Sequence, residues 1–146
     1  MTIKRSGSAW MPADTYGRSL PQFSVNLLVR DIQASVPFYR DVLSATIRYA
    51  DADFAAINLA GVEFMLHADH AYDHHPLHAR IQAQAGAFRG TGAELRVMGI
   101  APDAVQARAQ SAGATIIQPA ADYPHGWRDV IVADPDGYTW AVGLSK

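Results

Sequence analysis

Four charged or titratable side chains occupy alternating positions in two β-like segments, where they could carry acid–base chemistry. Glu63 and His67 alternate with apolar residues in VEFMLH, and Glu94 and Arg96 do so in ELRVM. Because successive side chains of a strand point to opposite faces, the members of each pair share a face. A glutamate and a histidine there could act as base and acid, while Arg96 holds a substrate carboxylate. Alternatively, Glu94 and Arg96 form an ion pair that satisfies both charges.

The densest unusual feature of the sequence is a run of histidines that begins in the first of these segments. His74 and His78 are four residues apart, the spacing that places two zinc ligands on one face of a helix. The Ala, Asp, Tyr and Pro residues around them offer no fixed scaffold for a metal, however, so we favour a solvated linker. The histidines concerned are His67, His70, His74, His75 and His78.

A third group of chemically useful side chains lies in PHGWRD, before a predicted strand. His125 and Trp127 belong to this segment, and Tyr123 precedes it. An aromatic ring at the mouth of a cavity could stack on a planar ligand. The same Trp127 ring could instead cover the edge of a sheet, and the sequence leaves both interpretations open.

The elements that must position these groups begin with alternating apolar residues from Phe23 to Val29, which predict a strand with one buried face. Asp31 is the N-cap candidate of a following helix, in which Pro37 fits only near the first turn. Apolar residues recur at helical spacing through SVPFYRDVL. Three strands are predicted next, over 45–49, 54–59 and 62–67, with Gly61 as the turn between the last two.

The second half of the chain repeats this order of elements. A strand over 94–98 precedes a helix over 103–114 that Gly113 closes, and three strands follow over 115–119, 129–133 and 138–142. Two β-α-β-β-β copies in one short chain indicate an internal duplication. We therefore place one module at 22–68, the other at 93–144 and a crossing linker at 69–92, with a helical turn around Pro76 to Gln84.

Residues 1–21 contain Gly, Ser and two prolines without a strand or helix period, which predicts an irregular N-terminal arm. The arm carries the apolar or aromatic side chains of Trp10, Met11 and Tyr16. A disordered leader is one interpretation. The other is an arm that packs on its own surface or on a partner.

Composition excludes several classes of protein. The 146 residues are 49% apolar and 18% charged with a net charge of −2, which suits a globular domain and leaves no basic surface for nucleic acid. There is no cysteine, which excludes disulfides, thiolate zinc sites and a cysteine nucleophile, and which is compatible with a reducing cytoplasm. No apolar run approaches the roughly 20 residues that span a bilayer, so neither export nor a membrane is expected.

The sequence contains three informative stretches, which together span about residues 22–144: VNLLVRDIQASVPFYRDVL, AGVEFMLH and WRDVIVADPDGYTWAVG. They resemble the vicinal oxygen chelate superfamily, the group of glyoxalases, bleomycin-resistance proteins and extradiol dioxygenases. The DPDG turn alone is weak evidence for this resemblance, since Asp-Gly merely supplies a positive φ at a hairpin. The resemblance implies an α+β fold in which two βαβββ modules form cup-shaped mixed sheets with helices on the convex face. Family members usually pair as dimers through these sheets.

The resemblance also assigns the two faces of each strand. The helix-facing core would take Phe23, Val25, Leu27, Val29, Val62, Phe64, Leu66, Leu95, Val97, Tyr138, Trp140 and Val142. The cavity would be lined by Ser24, Asn26, Leu28, Glu63, Met65, His67, Glu94, Arg96, Met98, Thr139 and Ala141. Trp127 would lie near the mouth. We predict a ligand site at Ser24, Asn26, Glu63, Met65, His67, Glu94, Arg96, Trp127, Thr139 and Ala141.

Many enzymes of the family hold one divalent ion with four His or Glu positions, one on the first and one on the last strand of each module. Matching the motifs places Ser24, Met65, Glu94 and Ala141 at these positions. One carboxylate cannot hold a dication against water, so we expect neither this metal site nor any other cofactor.

The first functional hypothesis is a metal-independent protein of the bleomycin-resistance type, which binds an aromatic or amphipathic compound in the cavity. The alternative is a metal-dependent lyase, isomerase or dioxygenase with relocated ligands such as Glu63, His67 and Glu94. A third is an interaction domain whose cavity is filled by its own side chains. The sequence does not name the ligand, because sites carried by one fold vary widely.

Overall fold

The computed structural model describes residues 3–146 and has the predicted α+β architecture of two β-α-β-β-β modules. The prediction of an irregular N-terminal arm is wrong over Ala13–Ser19, which forms helix α1. The first module comprises β1 (Asn26–Val29), α2 (Ile32–Pro37), β2 (Thr46–Ala50), β3 (Phe54–Leu59) and β4 (Val62–Ala68). A 3-10 turn (Asp69–Tyr72) and α3 (His78–Ala83) occupy the linker. The second module comprises β5 (Glu94–Met98), α4 (Pro102–Ala112), β6 (Thr115–Asp122), β7 (Trp127–Ala133) and β8 (Thr139–Ser145).

Each module forms one four-stranded mixed sheet with the same topology. The strand orders are β1-β4-β3-β2 and β5-β8-β7-β6, with the first and last strands of each module parallel and the others antiparallel. Leu27 pairs with Leu66, and Leu95 pairs with Trp140. The predicted duplication and fold class are therefore confirmed. In residues 3–146, no helix is long and apolar enough to cross a membrane.

The first helix departs from the prediction at its proline. Asp31 caps the helix as expected, since its carboxylate accepts a hydrogen bond from the Gln33 amide at 2.8 Å. Pro37, however, is the last residue of α2 and lies beyond the first turn, and the helix continues as a π-helical turn over Phe38–Val42. Proline has no amide hydrogen to donate to the preceding turn, and a widened turn accommodates this gap in the helical hydrogen bonds.

One hydrophobic core joins the two modules. The Tyr39 ring, at the end of the first helix, packs edge-on against Phe64 of its own sheet and Trp140 of the other, with centroid distances of 5.6 and 5.8 Å. The predicted helix-facing residues Leu27, Val29, Leu66 and Val142 are buried in this same cluster. The helix-facing sides of both sheets thus meet in a shared core. We call the opposite side of each sheet its open face.

Two predicted core residues lie outside this cluster. Phe23 is 80% exposed, because it precedes the part of the chain that pairs with the sheet. The parallel pairing of β1 with β4 begins only at Val25, whose carbonyl accepts a hydrogen bond from the Met65 amide. Val62 is 58% exposed because it opens β4 directly after the Ala60–Gly61 turn, beyond the edge of the core. The alternating pattern continues in sequence past the point where the sheet ends.

Asp134 joins the DPDG turn to the first module. Its carboxylate accepts from the Tyr39 hydroxyl at 2.7 Å and from the amides of Asp136 and Tyr138 at 3.0 and 2.9 Å. Burial raises the pKa of Asp134 from its ordinary 3.8 to about 6, despite these hydrogen bonds. The buried carboxylate is therefore held in its charged form at a cost to stability.

We expect this carboxylate to make folding less favourable as pH rises from about 4 to about 6. The unfolded chain loses the proton first, so over this interval the native state binds more protons and stability falls. Relative to Asp134→Asn, wild-type stability should drop by up to about 3 kcal/mol between about pH 4 and pH 7. Urea unfolding of both proteins across this range measures the difference. Parallel stability curves would show that Asp134 does not titrate in this way.

Candidate functional site

A cleft of about 270 Å³ opens where the two modules meet. Its walls come from the chain just before β1, the turn between β3 and β4, strand β5 and Trp140 of β8. Most of these side chains are apolar, and a mainly apolar wall with few polar groups is typical of a site for a small organic molecule. The lining residues are Phe23, Ser24, Val25, Leu59, Ala60, Val62, Phe64, Leu95, Arg96, Val97, Met98 and Trp140.

Exposed apolar side chains mark the mouth of this cleft. Phe23, Val62 and Met98 are all exposed, although an aqueous surface does not favour such groups. Contiguous exposed apolar surface of this kind marks interaction or ligand sites. A wider depression of about 810 Å³ near the linker is lined mainly by charged and polar residues, among them Lys4, Arg30 and Asp73.

Arg96 connects the cleft with a charged network on the open face of the second sheet. Its guanidinium donates to Glu94 at 2.5 Å and to Asp129 at 3.1 Å, and it stacks over the Trp127 ring at 4.7 Å from the centroid. The hydrogen bond with Glu94 is the main cause that raises the pKa of Arg96. These contacts favour the ion-pair interpretation over a free arginine that awaits a substrate carboxylate.

Asp129 is a member of this network that the sequence reasoning missed. Its side chain is 2% exposed and lies 3.5 Å from His125 as well as beside Arg96. The segment WRDVIVA contains a pattern that could have identified Asp129, because this residue alternates with the buried Val130 and Val132. A charge at that position must face the open side of the sheet and find a partner there.

Trp127, which was predicted near the mouth of the cavity, does not line the cleft between the modules. It begins β7 next to a tight turn, in which the Tyr123 amide donates to the Trp127 carbonyl at 2.9 Å. One face of its half-buried ring is covered by Arg96. A planar ligand on that face would therefore have to share the ring with a guanidinium or replace it.

Glu63 and His67 belong to a different network, on the open face of the first sheet. Glu63 accepts from the Tyr16 hydroxyl at 2.9 Å and from Arg48 at 2.5 Å. His67 Nδ1 lies 2.7 Å from the Asn26 side-chain oxygen, and burial lowers the pKa of this histidine. The prediction that Glu63, His67, Glu94 and Arg96 share one concave surface is wrong, because they lie on separate sheets in separate networks.

The remaining predicted residues are placed as follows. Ser24 borders the cleft, and Met65 is half-buried in the middle of β4, where it pairs with Asn26. Thr139 begins β8 and donates to the Ala93 carbonyl at 2.8 Å, while Ala141 is fully buried. Of the ten predicted ligand-binding residues, the cleft brings together Ser24 and Arg96.

The four positions matched to the family's metal ligands do not fit a divalent ion. Ala141 has no donor atom, Met65 offers a thioether that hard cations bind poorly, and the carboxylate of Glu94 is paired with Arg96. Across residues 3–146, no three His, Cys, Asp or Glu side chains are grouped so as to hold a metal.

The histidine-rich segment is structured differently from a helical zinc pair. His78 begins α3, whereas His74 precedes that helix, so the two imidazoles do not share a helical face. His70 lies 2.8 Å from the Asp53 carboxylate, and His75 accepts from the Leu77 amide at 3.1 Å. The positions of His74 and His78 therefore do not form the helical pair that a zinc site of this spacing needs, and the segment is the linker that we favoured from the sequence.

Residues 22–142 match the family model described as Glyoxalase/Bleomycin resistance protein/Dioxygenase superfamily. The fold is similar to that of a glyoxalase-related enzyme from Fulvimarina pelagi, with a TM-score of 0.64 and 21% identity over 84% of this chain and 86% of that one.

Two further solved structures have a similar fold. A glyoxalase/bleomycin resistance protein/dioxygenase from Nocardioides aligns with a TM-score of 0.64 and 24% identity over 90% of this chain and 91% of that chain. A genomically encoded fosfomycin resistance protein from Listeria monocytogenes aligns with a TM-score of 0.62 and 14% identity, over 86% and 93% of the respective chains. Among curated proteins, no sequence matches significantly. At these identities the structural likeness shows the fold.

Proposed function

The chain belongs to the Glyoxalase/Bleomycin resistance protein/Dioxygenase superfamily, and from that premise we propose that it is a metal-independent binding protein for a small aromatic or amphipathic compound. The observation that carries the proposal is the apolar cleft between the modules. An apolar body would lie against Phe64 and Trp140. A polar end of the ligand would meet Ser24 or the network around Arg96.

The chemistry of the available side chains favours binding over metal-assisted catalysis. Similar folds occur in a glyoxalase-related enzyme and in a fosfomycin resistance protein, so the fold alone does not decide between the two. The relocated metal set Glu63, His67 and Glu94 is divided between two sheets. In addition, Glu63 is occupied by Tyr16 and Arg48, and His67 is held by Asn26.

We further propose that the protein is a cytoplasmic homodimer. Strands β1 and β5 are edge strands of their sheets, and free edges favour association with another chain. Light scattering on the untagged protein measures its molar mass in solution, and a monomer at micromolar concentration would contradict the proposed dimer.

The binding proposal is tested with N-phenyl-1-naphthylamine, a neutral probe that fluoresces in apolar surroundings. We expect saturable binding by untagged protein, with the same affinity and melting temperature before and after dialysis against a strong chelator. An ion that bound only the native state would stabilise it by mass action, so removing it would lower the melting temperature. Loss of probe binding or of stability after chelation would contradict the proposal.

Variants at the cleft mouth identify where the probe binds. The double variant Phe23→Ser, Val62→Ser removes two exposed apolar walls and should weaken binding about tenfold, a loss of about 1.4 kcal/mol. Ile117→Ser is the control, since Ile117 is also an exposed apolar residue, on β6, and does not line the cleft. Equal effects of the two changes would place the probe elsewhere.

A further inference from the structure

Arg89 ties the linker to the first module. Its side chain is 4% exposed, and its guanidinium donates to the two carboxylate oxygens of Asp69 at 2.6 and 2.7 Å and to the Leu28 carbonyl at 3.1 Å. Leu28 lies in β1, and Asp69 directly follows β4, the strand that pairs with β1. A bidentate pair between a guanidinium and a carboxylate fixes the orientation of both groups as well as their distance. The linker is therefore held at the paired ends of β1 and β4.

The same part of the linker is held against the second module through Asp136, which lies in the DPDG turn between β7 and β8. The Arg89 amide donates to the Asp136 carbonyl at 2.9 Å. Arg30, which directly follows β1, donates to the Asp136 carboxylate from its amide at 3.0 Å and from its guanidinium at 2.8 Å. The Arg30 guanidinium also donates to the carbonyls of Gln84 and Ala87 at 2.9 and 2.8 Å. The linker, the first sheet and the DPDG turn thus share one hydrogen-bond network.

Two glycines allow the linker to lie directly on the DPDG turn. A Cβ atom on Gly137 would come within 2.6 Å of the Phe88 Cα, and a Cβ atom on Gly90 would come within 2.6 Å of the Tyr138 Cα. Glycine permits this close approach of two backbones because it carries no side chain. We call residues 84–90 the clamp.

Strand β1 connects the clamp with the cleft between the modules. The Leu28 carbonyl, which accepts from Arg89, also accepts from the hydroxyl of Tyr138 at 2.8 Å, just before β8. Val25, three residues before Leu28, and Trp140 of β8 both line the cleft. Three residues of extended chain span about 10 Å. The clamp therefore holds one end of β1 against the second module, while the other end of β1 forms a wall of the cleft.

The shared core and the clamp join the two modules in different ways. Most side chains of the shared core are apolar, and the burial of apolar surface is non-directional. The hydrogen bonds of the clamp are directional, and several involve charged groups. We propose that the clamp sets the position of β1 against the second module, which makes Arg89 a positioning residue for the cleft that it does not itself line. The effect on ligand binding rests on the proposed function, whereas the position of β1 does not.

The relative position of the modules is measured by electron paramagnetic resonance between two spin labels. The chain has no cysteine, so Ala50→Cys on β2 and Gln110→Cys on α4 place the labels specifically, at exposed positions of different modules. The labelled parent should give one narrow distance distribution, and adding Arg89→Met should at least double its width. Arg40→Met is the control, since Arg40 forms an exposed bidentate pair with its neighbour Asp41. An unchanged width in the Arg89 variant would overturn the proposal.

The consequence for the cleft is measured with N-phenyl-1-naphthylamine on the unlabelled chain. Arg89→Met should bind this probe at least fivefold more weakly than wild type, and Arg40→Met should bind it as wild type does. Arg89→Lys should recover only part of the loss, because an ammonium group cannot reproduce the planar fork that reaches both Asp69 and Leu28. Equal affinities of Arg89→Met and wild type would refute the role of Arg89 in the cleft. A wild-type chain that does not bind the probe would instead refute the proposed function, and the distance distribution would still decide whether the clamp positions β1.

A second variant covers the case in which Arg89→Met folds poorly because it leaves the Asp69 carboxylate without its partner. The double variant Arg89→Met, Asp69→Asn removes that charge but still lacks the hydrogen bond to the Leu28 carbonyl. It should show the same broadened distance distribution and the same weaker probe binding. If Arg89 only stabilised the linker, both variants would melt at a lower temperature with unchanged distance widths and probe affinities, and this result would overturn the proposal.

Discussion

Replacing Trp140 with alanine is expected to lower the free energy of unfolding by about 3 to 5 kcal/mol. Trp140 is buried in the shared core and contacts the rings of Tyr39 and Phe64, with centroid distances of 5.8 and 5.3 Å. Its removal leaves a cavity where the two modules meet, which neither sheet can fill without moving the other. Urea unfolding at constant pH measures the loss.

Trp127→Ala is the matched control for this variant. Trp127 is the same residue type on the neighbouring strand of the same sheet, but its ring faces the open side and stacks on Arg96. Loss of that stacking should cost about 1 kcal/mol. If Trp140→Ala unfolds at the same urea concentration as the parent, the assignment of core and open faces is wrong.

Replacing Arg96 with methionine is expected to lower the free energy of unfolding by about 2 to 3 kcal/mol at neutral pH, somewhat less than for a fully buried pair. The change leaves the carboxylate of Asp129, which is almost fully buried, without its guanidinium partner. An unpaired buried charge is costly, and the remaining His125 at 3.5 Å makes a longer contact. Asp129→Asn in the same background should recover part of the loss, since it removes the charge.

Arg128→Met provides the comparison, because Arg128 lies on the opposite face of the same sheet and pairs with the exposed carboxylates of Asp103 and Asp122. Pairs of this kind contribute at most about 1 kcal/mol. Comparable losses for Arg96→Met and Arg128→Met would mean that Asp129 is not stabilised by Arg96.

Much of the fold could be predicted because it depends on local patterns. The alternation in VEFMLH and YTWAV, together with the faces that the family resemblance implies, identified Phe64 and Trp140 as core residues, and both are buried there. Asp31 and Gly113 marked helix ends through their own chemistry, as an N-cap and as a residue with φ of 68°. The same patterns failed where the sheet ends, at Phe23 and Val62, because periodicity does not report where pairing stops.

The candidate site was harder to predict because it depends on contacts between distant segments. Alternation placed Glu63 and Glu94 on the open sides of their strands, but it could not tell that the two modules present those sides separately. The contact of Tyr16 with Glu63 joins residues 47 positions apart, and no local pattern encodes it. The ion pair of Glu94 with Arg96 could be predicted from the sequence, since both residues lie on one face of one strand.

The central claim is that a small aromatic molecule binds in the cleft between the modules without a metal ion. The most direct test is a crystal structure of the protein grown with N-phenyl-1-naphthylamine and with manganese in the buffer. We expect density for the probe between Phe23, Val62 and Trp140, and no anomalous signal at Glu94. A manganese ion held by Glu94 together with other side chains, or a probe bound only outside the cleft, would contradict the claim.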